Sequence, residues 1–238
     1  MSELKPRKVI AVQEHLRDQV ANALRAALIA GDLQPGVIYS APTLAAEYGV
    51  SATPVREAML DLAREGLVEA VRNKGFRVTE LSERDLDEFT EIRALIEIPT
   101  VGRVVRSASR DQLEALRPVA EEIVTAARAG DLIGYLEADR RFHLGLLALA
   151  GNSRLVETVA DLRKRSRLYG LTELAEAGAL VASAEEHTAL LDLMLSGDVA
   201  ATEEHMRHHL AHVRTLWAAR QREQAAGNRS RARKLGVR

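Results

Sequence analysis

Apolar side chains recur every three or four positions along most of this chain. Over residues 9–30 the repeat runs through Val12, Leu16, Val20, Leu24, Ala27 and Leu28, which predicts an amphipathic helix stopped by Gly31. The turn-forming GDLQPG (31–36) follows, then a short extended piece, VIYS. Pro42 suits the first turn of a short helix that runs to Tyr48 and ends at Gly49. Thr53 and Pro54 predict a third helix, with Thr53 as N-cap and Pro54 at the first helical position, continuing through Leu62 and Ala63 to Gly66. The period then shortens. Residues 67–71 and 76–79 read as two strands around a hairpin turn at Asn73, Lys74 and Gly75.

After residue 80 the pattern changes once more. Ser82 and Asp85 make an N-capping pair, and from there to about residue 226 only helical periodicity is present. Breaks near residues 107–110, 130–131, 151–152, 175–179 and 196–198 divide this stretch into roughly six helices. No repeat of fixed period is present. The expected fold class is mainly α: a winged helix-turn-helix over residues 8–80, then an all-helical antiparallel bundle over 81–226. GNRSRARKLGVR (227–238) reads as a disordered basic tail.

Composition sharpens this picture in a few places. Of 238 residues, 47% are hydrophobic but only 3% aromatic, so the core has to be built from Leu, Val, Ile and Ala, which favours helices. The absence of cysteine excludes disulfides, thiolate metal sites and cysteine nucleophiles. The N-terminal twenty residues hold no apolar segment of signal-peptide type, and no run of 18 apolar residues is present. A cytoplasmic protein without membrane contact is expected. Formal net charge is −1, and residues 1–80 hold ten basic and ten acidic side chains, so total charge carries no nucleic-acid signature.

The order of elements over residues 43–79 does carry one. A short helix, a tight turn, a second helix and a two-stranded wing form a module that presents polar side chains to the DNA major groove. Leu44, Ala45, Val50, Val55, Ala58, Met59 and Leu62 supply its buried side. Ser51, Ala52, Thr53 and Arg56 then lie near DNA, with Glu57 and Arg64 as further candidates. Arg56 suits a guanine edge or a phosphate, and the Ser51 and Thr53 hydroxyls suit phosphate. Arg72 and Lys74 in the wing suit phosphate or the minor groove.

The stretch GDLQPG…LAAEYGVSATPVREAMLDLAREGLVEAVRNKGFRV resembles the N-terminal domain of the GntR family of bacterial transcriptional regulators over about residues 10–80. PVREA followed by L-x-x-EGL and a K-G wing carries the likeness. The resemblance implies a homodimer on a palindromic double-stranded operator, usually as a repressor. It also implies DNA contacts at Ser51, Thr53, Arg56, Lys74 and Gly75. Two positions depart from the pattern. The family commonly has Arg where this chain has Ala52, and a polar or charged residue where it has Pro42.

A second constellation lies in the helical half. Asp139 and His143, four apart, project from one helix face, and His187 and the cluster at His205, His208, His209 and His212 follow downstream. A carboxylate with three imidazoles suits Zn²⁺, Ni²⁺ or Mn²⁺. Spacing alone leaves open which of the late histidines takes part, and partly buried polar groups would produce the same pattern. Residues 85–217 resemble the all-helical effector (FCD) domain of the FadR subfamily. The landmarks are EIR at 91–93, DRRFH at 139–143, AGN at 150–152, EH…LL at 186–191 and MR-x-HL at 206–210. The short domain is similar to the VanR-like branch. The resemblance implies a divalent metal, Zn²⁺ first, held by Asp139, His143, His187 and His209. It also implies a pocket for a small organic acid faced by Arg93, whose guanidinium can clamp a carboxylate.

Other features read more plainly. Arg93 would otherwise form a surface salt bridge with Glu97. Asn152 reads as a helix cap, Trp217 as packing, and Arg163, Lys164, Arg165 and Arg167 as a solvated helix face. The expectation is a ligand-controlled DNA-binding repressor. The alternatives are a metal-dependent enzyme and an architectural DNA-binding protein without a ligand. The enzyme reading lacks a Ser-His-Asp arrangement, a phosphate-cradling glycine loop and an HExxH motif.

Overall fold

The computed structural model describes residues 11–166 and 171–211. The chain separates into two compact units, residues 1–80 and 81–238.

In the first unit, α1 (Ala11–Ala30), α2 (Ala41–Tyr48) and α3 (Ala52–Arg64) surround a core of Val20, Leu24, Leu44, Val55, Ala58, Met59 and Leu62. Both α1 and α2 pack on α3. Arg25 clips α1 to the end of α3 through Glu65 at 2.5 Å, and Arg17 pairs with Asp61. Three strands close the unit in the order β1-β3-β2: β1 (Ile38–Tyr39), β2 (Val68–Val71) and β3 (Gly75–Val78), all antiparallel. Phe76 and Val78 alternate inward on β3 while Arg77 faces out, the period-two pattern of a half-buried strand.

Two local features define the reading end of this unit. Gly49 closes α2 in the left-handed conformation at φ 66°, which turns the chain tightly into α3. That helix begins two residues before the position expected from Thr53-Pro54. Ser51 is the N-cap, and Pro54 stands at the third helical position. The first-turn amides of a helix have no internal acceptor, so proline fits anywhere in that turn and does not mark its first residue.

The second unit is helical among its described residues. Its elements are α4 (Glu83–Ser107), α5 (Arg110–Glu114), α6 (Arg117–Ala129), α7 (Leu132–Ala148), α8 (Ser153–Ser166), α9 (Leu171–Glu176) and α10 (Leu180–Ser196). The last described helix, α11, covers residues 199–211. Six of these are long and two, α5 and α9, are short additions that periodicity did not separate. Ser82 and Asp85 form a full capping box at the start of α4. Asn152 Oδ1 accepts the Leu155 amide at 3.2 Å, so it caps α8. Helix α6 packs on α7 and α10, while α4, α7 and α8 pack on one another. The result is an antiparallel bundle with Ile123, Tyr135, Phe142, Leu146 and Leu190 at its centre. Arg167, His212, Trp217 and the basic tail lie outside the described residues.

Candidate DNA-reading surface and metal centre

The α3 N-terminus carries Ser51, Thr53 and Arg56, all exposed, while Val55, Ala58, Met59 and Leu62 turn inward. The Ser51 side chain makes no capping hydrogen bond. In the wing, Lys74 donates its backbone amide to Val71 at 3.0 Å, so the turn is tight and the Lys74 side chain is exposed. Val50, expected on the buried side, is half-buried.

The charges of this unit divide into two sets. Arg17, Arg25, Arg64 and Arg77 are each engaged by an acid: Asp61, Glu65, Asp61 and Glu69 respectively. Arg56, Arg72 and Lys74 form no ion pair with another described residue, and all three are exposed. Among its described residues, a unit with no net positive charge therefore keeps its uncommitted cations at the start of α3 and in the wing. Those are the places from which side chains meet major-groove edges and phosphates.

Gly75 has a packing reason of its own. Its φ is 134°, and an added Cβ would sit 2.3 Å from the Tyr39 carbonyl oxygen of β1. Glycine there lets β1 approach the hairpin, whatever it also does toward DNA.

In the bundle, Asp139 and His143 come from α7, His187 from α10 and His209 from α11. Their ligand atoms all lie within 4.8 Å of one another, and all four residues are buried. His143 Nε2 lies 3.1 Å from His187 Nε2, and His187 Nε2 lies 3.0 Å from Asp139 Oδ1. The far sides of the rings fix their protons. His187 Nδ1 faces the Ala184 carbonyl at 3.0 Å, so it donates. His209 Nδ1 faces the Glu186 carboxylate at 2.6 Å, so it also donates. In their neutral forms both rings then present the Nε2 lone pair inward, toward a carboxylate oxygen. Converging lone pairs repel one another, and a cation among them relieves the conflict. This donor set fits a divalent metal ion.

The electrostatics favour ligating forms. Burial pushes the His143 imidazole well below its usual range, and the Arg163 charge adds to the effect. Burial likewise pushes His209 down to about 4, although its bond to Glu186 opposes the shift. A metal needs neutral imidazoles, and burial holds His143 and His209 in that form at physiological pH. His205 turns elsewhere, meeting the Glu186 carbonyl at 2.8 Å, and His208 is exposed.

Two charged residues beside the cluster differ from the sequence expectation. Arg163 is not on a solvated face. It is 2% exposed and donates to Asp139 Oδ2 at 2.9 Å and to Glu97 Oε2 at 3.2 Å. Its neighbours Lys164 and Arg165 are exposed, as expected. The Arg93–Glu97 pair is present at 2.6 Å but is buried rather than at the surface. Burial alone would raise the Glu97 carboxyl, but Arg93 and Arg163 outweigh it and hold Glu97 below the usual carboxylate range. Two guanidiniums and two carboxylates thus balance inside the bundle. The signal for Arg163 was its register. Val159, Arg163 and Ser166 share the inward stripe of α8, a spacing that Lys164 and Arg165 miss.

A winged helix with uncommitted cations, followed in the same chain by a bundle that gathers buried ligand side chains, defines a DNA-binding regulator with a sensing domain. The model for bacterial regulatory proteins of the gntR family matches residues 16–78, and the FCD domain model matches residues 88–212. The HTH-type transcriptional regulator McbR of Escherichia coli (strain K12) is 32% identical over 195 residues, covering 82% of this chain and 87% of that one. The probable D-xylose utilization operon transcriptional repressor of Paenarthrobacter nicotinovorans is 31% identical over 202 residues, covering 82% and 87%. The solved structure of E. coli McbR/YncC superposes with a TM-score of 0.62 at 30% identity, covering 88% of this chain and 98% of that chain. The chain belongs to the GntR family of bacterial regulators and carries an FCD domain. That family regulates transcription and is not enzymatic, which removes the enzyme alternative. Among the described residues, no helix is long and apolar enough to cross a membrane.

Proposed function

We propose that this protein is a cytoplasmic, metal-containing repressor that binds a palindromic operator as a homodimer and releases it in response to a small organic acid. We place it in the FadR subfamily, in the VanR-like branch, because its bundle has six long helices among the described residues. The observation that carries the reading is the pairing of uncommitted cations on the winged unit with converging lone pairs in the bundle.

Ser51, Thr53 and Arg56 read the operator from α3, and Lys74 and Gly75 approach it from the wing. Ala52 contributes no base contact of its own, so Arg56 carries more of the base readout. Asp139, His143, His187 and His209 hold the ion. Three nitrogen donors and one oxygen suit Zn²⁺ first, with Ni²⁺ or Mn²⁺ as alternatives. When bound, the ion supplies positive charge and open coordination positions for a carboxylate oxygen. Arg93 binds the effector from the same buried wall, sharing its guanidinium with Glu97. Repression is supported by relatives whose own names describe repressors, among them the D-xylose operon protein and the gluconate operon repressor of Bacillus subtilis (strain 168). Dimerisation is supported by α4, where Ile92 and the 71%-exposed Leu95 show apolar surface to solvent. The effector acts by population shift, binding one conformation better and so changing the spacing of the paired reading heads.

Arg56→Ala tests the reading head. Operator binding is expected to weaken by about 1–3 kcal/mol in a gel-shift assay while the circular dichroism spectrum and unfolding midpoint stay unchanged. Full affinity in this variant would sink the assignment of α3. A gel-shift screen over organic and sugar acids tests the sensing domain. An architectural protein would show no response to any of them.

A further inference from the structure

Each imidazole of the cluster has two nitrogens, and the far one matters as much as the ligating one. A metal-bound histidine ordinarily donates its second N–H to a carboxylate or carbonyl, which fixes the ring and strengthens the ligand. His187 has the Ala184 carbonyl and His209 has the Glu186 carboxylate. His143 differs. Its Nδ1 is buried and has no hydrogen-bond partner among the described residues. The nearby acceptor is Glu97 Oε2 at 3.8 Å, beyond hydrogen-bond range. Glu97 is fully buried, and it comes from α4, a helix that supplies no ligand.

We infer that Glu97 is the orienting carboxylate of His143, accepting its Nδ1–H when a divalent ion occupies the cluster. The inference rests on the metal reading above and extends it to a fourth helix. Arg93 engages Glu97 Oε1 and Arg163 engages Oε2. This leaves the carboxylate anchored but with acceptor capacity for one further donor. Arg163 also holds Asp139, so one guanidinium sets the spacing of a ligand and of a ligand's partner. Helix α4 begins at Glu83, five residues after β3 ends at Val78. A residue that ties His143 to α4 therefore stands on the covalent path between the sensing bundle and the wing.

The experiment uses the full chain and Zn²⁺ alone. Zn²⁺ affinity is measured by competition with a chromophoric chelator for wild type and Glu97→Gln. The variant is expected to bind about 10- to 100-fold more weakly. A second measurement needs no substitution. In protein labelled with ¹⁵N-histidine, the His143 Nδ1 proton should become protected from exchange on Zn²⁺ addition and show a through-space contact to the Glu97 side chain. A merely structural role for Glu97 would lower the stability of the variant but leave both readouts unmoved. Tight Zn²⁺ binding by wild type with equal binding by Glu97→Gln, or with no Nδ1 protection, overturns the role of Glu97 alone. Failure of wild type to bind any divalent ion overturns the metal reading with it.

Discussion

The two units use charge in opposite ways. In the winged unit Arg56, Arg72 and Lys74 are exposed and uncommitted, while Arg17, Arg25, Arg64 and Arg77 are held by acids. In the bundle the charges that matter are buried and fully matched: Arg93 with Glu97, and Arg163 with both Glu97 and Asp139. Exposed charge costs little to keep and is available to a partner. Buried charge is held only by its partners, so it makes a rigid frame for ligands. The same residue type, arginine, is therefore left open to a partner in one unit and serves as an internal strut in the other.

The strongest way to break this contrast is to remove the strut. Arg163→Ala takes from the buried Asp139 its guanidinium and leaves Glu97 with Arg93 alone. Removing one partner of a buried pair costs about 3–5 kcal/mol, because the remaining charge has no compensation. The bundle's chemical denaturation midpoint should fall accordingly. Lys164→Ala, one residue away and exposed, should leave it nearly unchanged. Equal effects from the two variants would mean that Arg163 is not the internal strut described here.

Acidification should separate the units next. Burial pushes His209 down to about 4 from its usual 6.5. The unfolded chain therefore takes up this proton first as pH falls. Between about pH 6.5 and pH 4 the unfolded state binds more protons than the folded one, so metal-free stability declines through that window. His143 shifts in the same direction and adds to the slope. Glu97, held below its usual range by Arg93 and Arg163, adds its own loss below about pH 4.5. Denaturation of metal-free protein at steps between pH 7 and pH 4 checks this. In His209→Gln part of the slope should vanish. A flat profile in wild type would show that the imidazoles are not held neutral by burial.

These contrasts explain what could be read from the sequence. The winged unit was legible because its signals are local. Gly49, which closes α2, and the hairpin at Asn73 act within a few residues of themselves. Even there, Thr53 and Pro54 placed the start of α3 two residues late, since proline satisfies any position of a first turn. In the bundle, Asp139 and His143 could be paired from their i,i+4 spacing. Choosing His209 over His205 could not be done that way. The choice depends on the rotation of α11 against α10, where His205 meets the Glu186 carbonyl and His209 its carboxylate. Family resemblance supplied that register. Arg163 and Glu97 escaped because charged residues are rarely buried: the register of Arg163 with Val159 hinted at it, and the partner helices show what compensates the charge.

Metal supply sharpens the comparison from the ligand side. If the lone pairs of Asp139, His187 and His209 converge on an ion, Zn²⁺ at 100 times its dissociation constant should stabilise the protein by about 2.7 kcal/mol. Thermal unfolding with and without Zn²⁺, after chelation and dialysis, measures this. His187→Ala should abolish the gain. A gain that survives in that variant would place the ion elsewhere.

The smallest effect is expected from the wing, and it is the one that best isolates exposed charge. Lys74 lies in the hairpin turn, in solvent and without an acid partner among the described residues. A lysine that contacts a phosphate releases counterions and carries little base information. Lys74→Ala should therefore weaken binding about equally for operator and unrelated duplex, and should lower the slope of log affinity against log salt by about 1. Arg56→Ala should instead cost about 1–3 kcal/mol chiefly on the operator, because a guanidinium at a base edge discriminates. Titrations of both variants at several salt concentrations separate the two roles. If Lys74→Ala changed sequence preference while Arg56→Ala changed only the salt slope, the readers would be reversed, with the wing and not α3 selecting the operator.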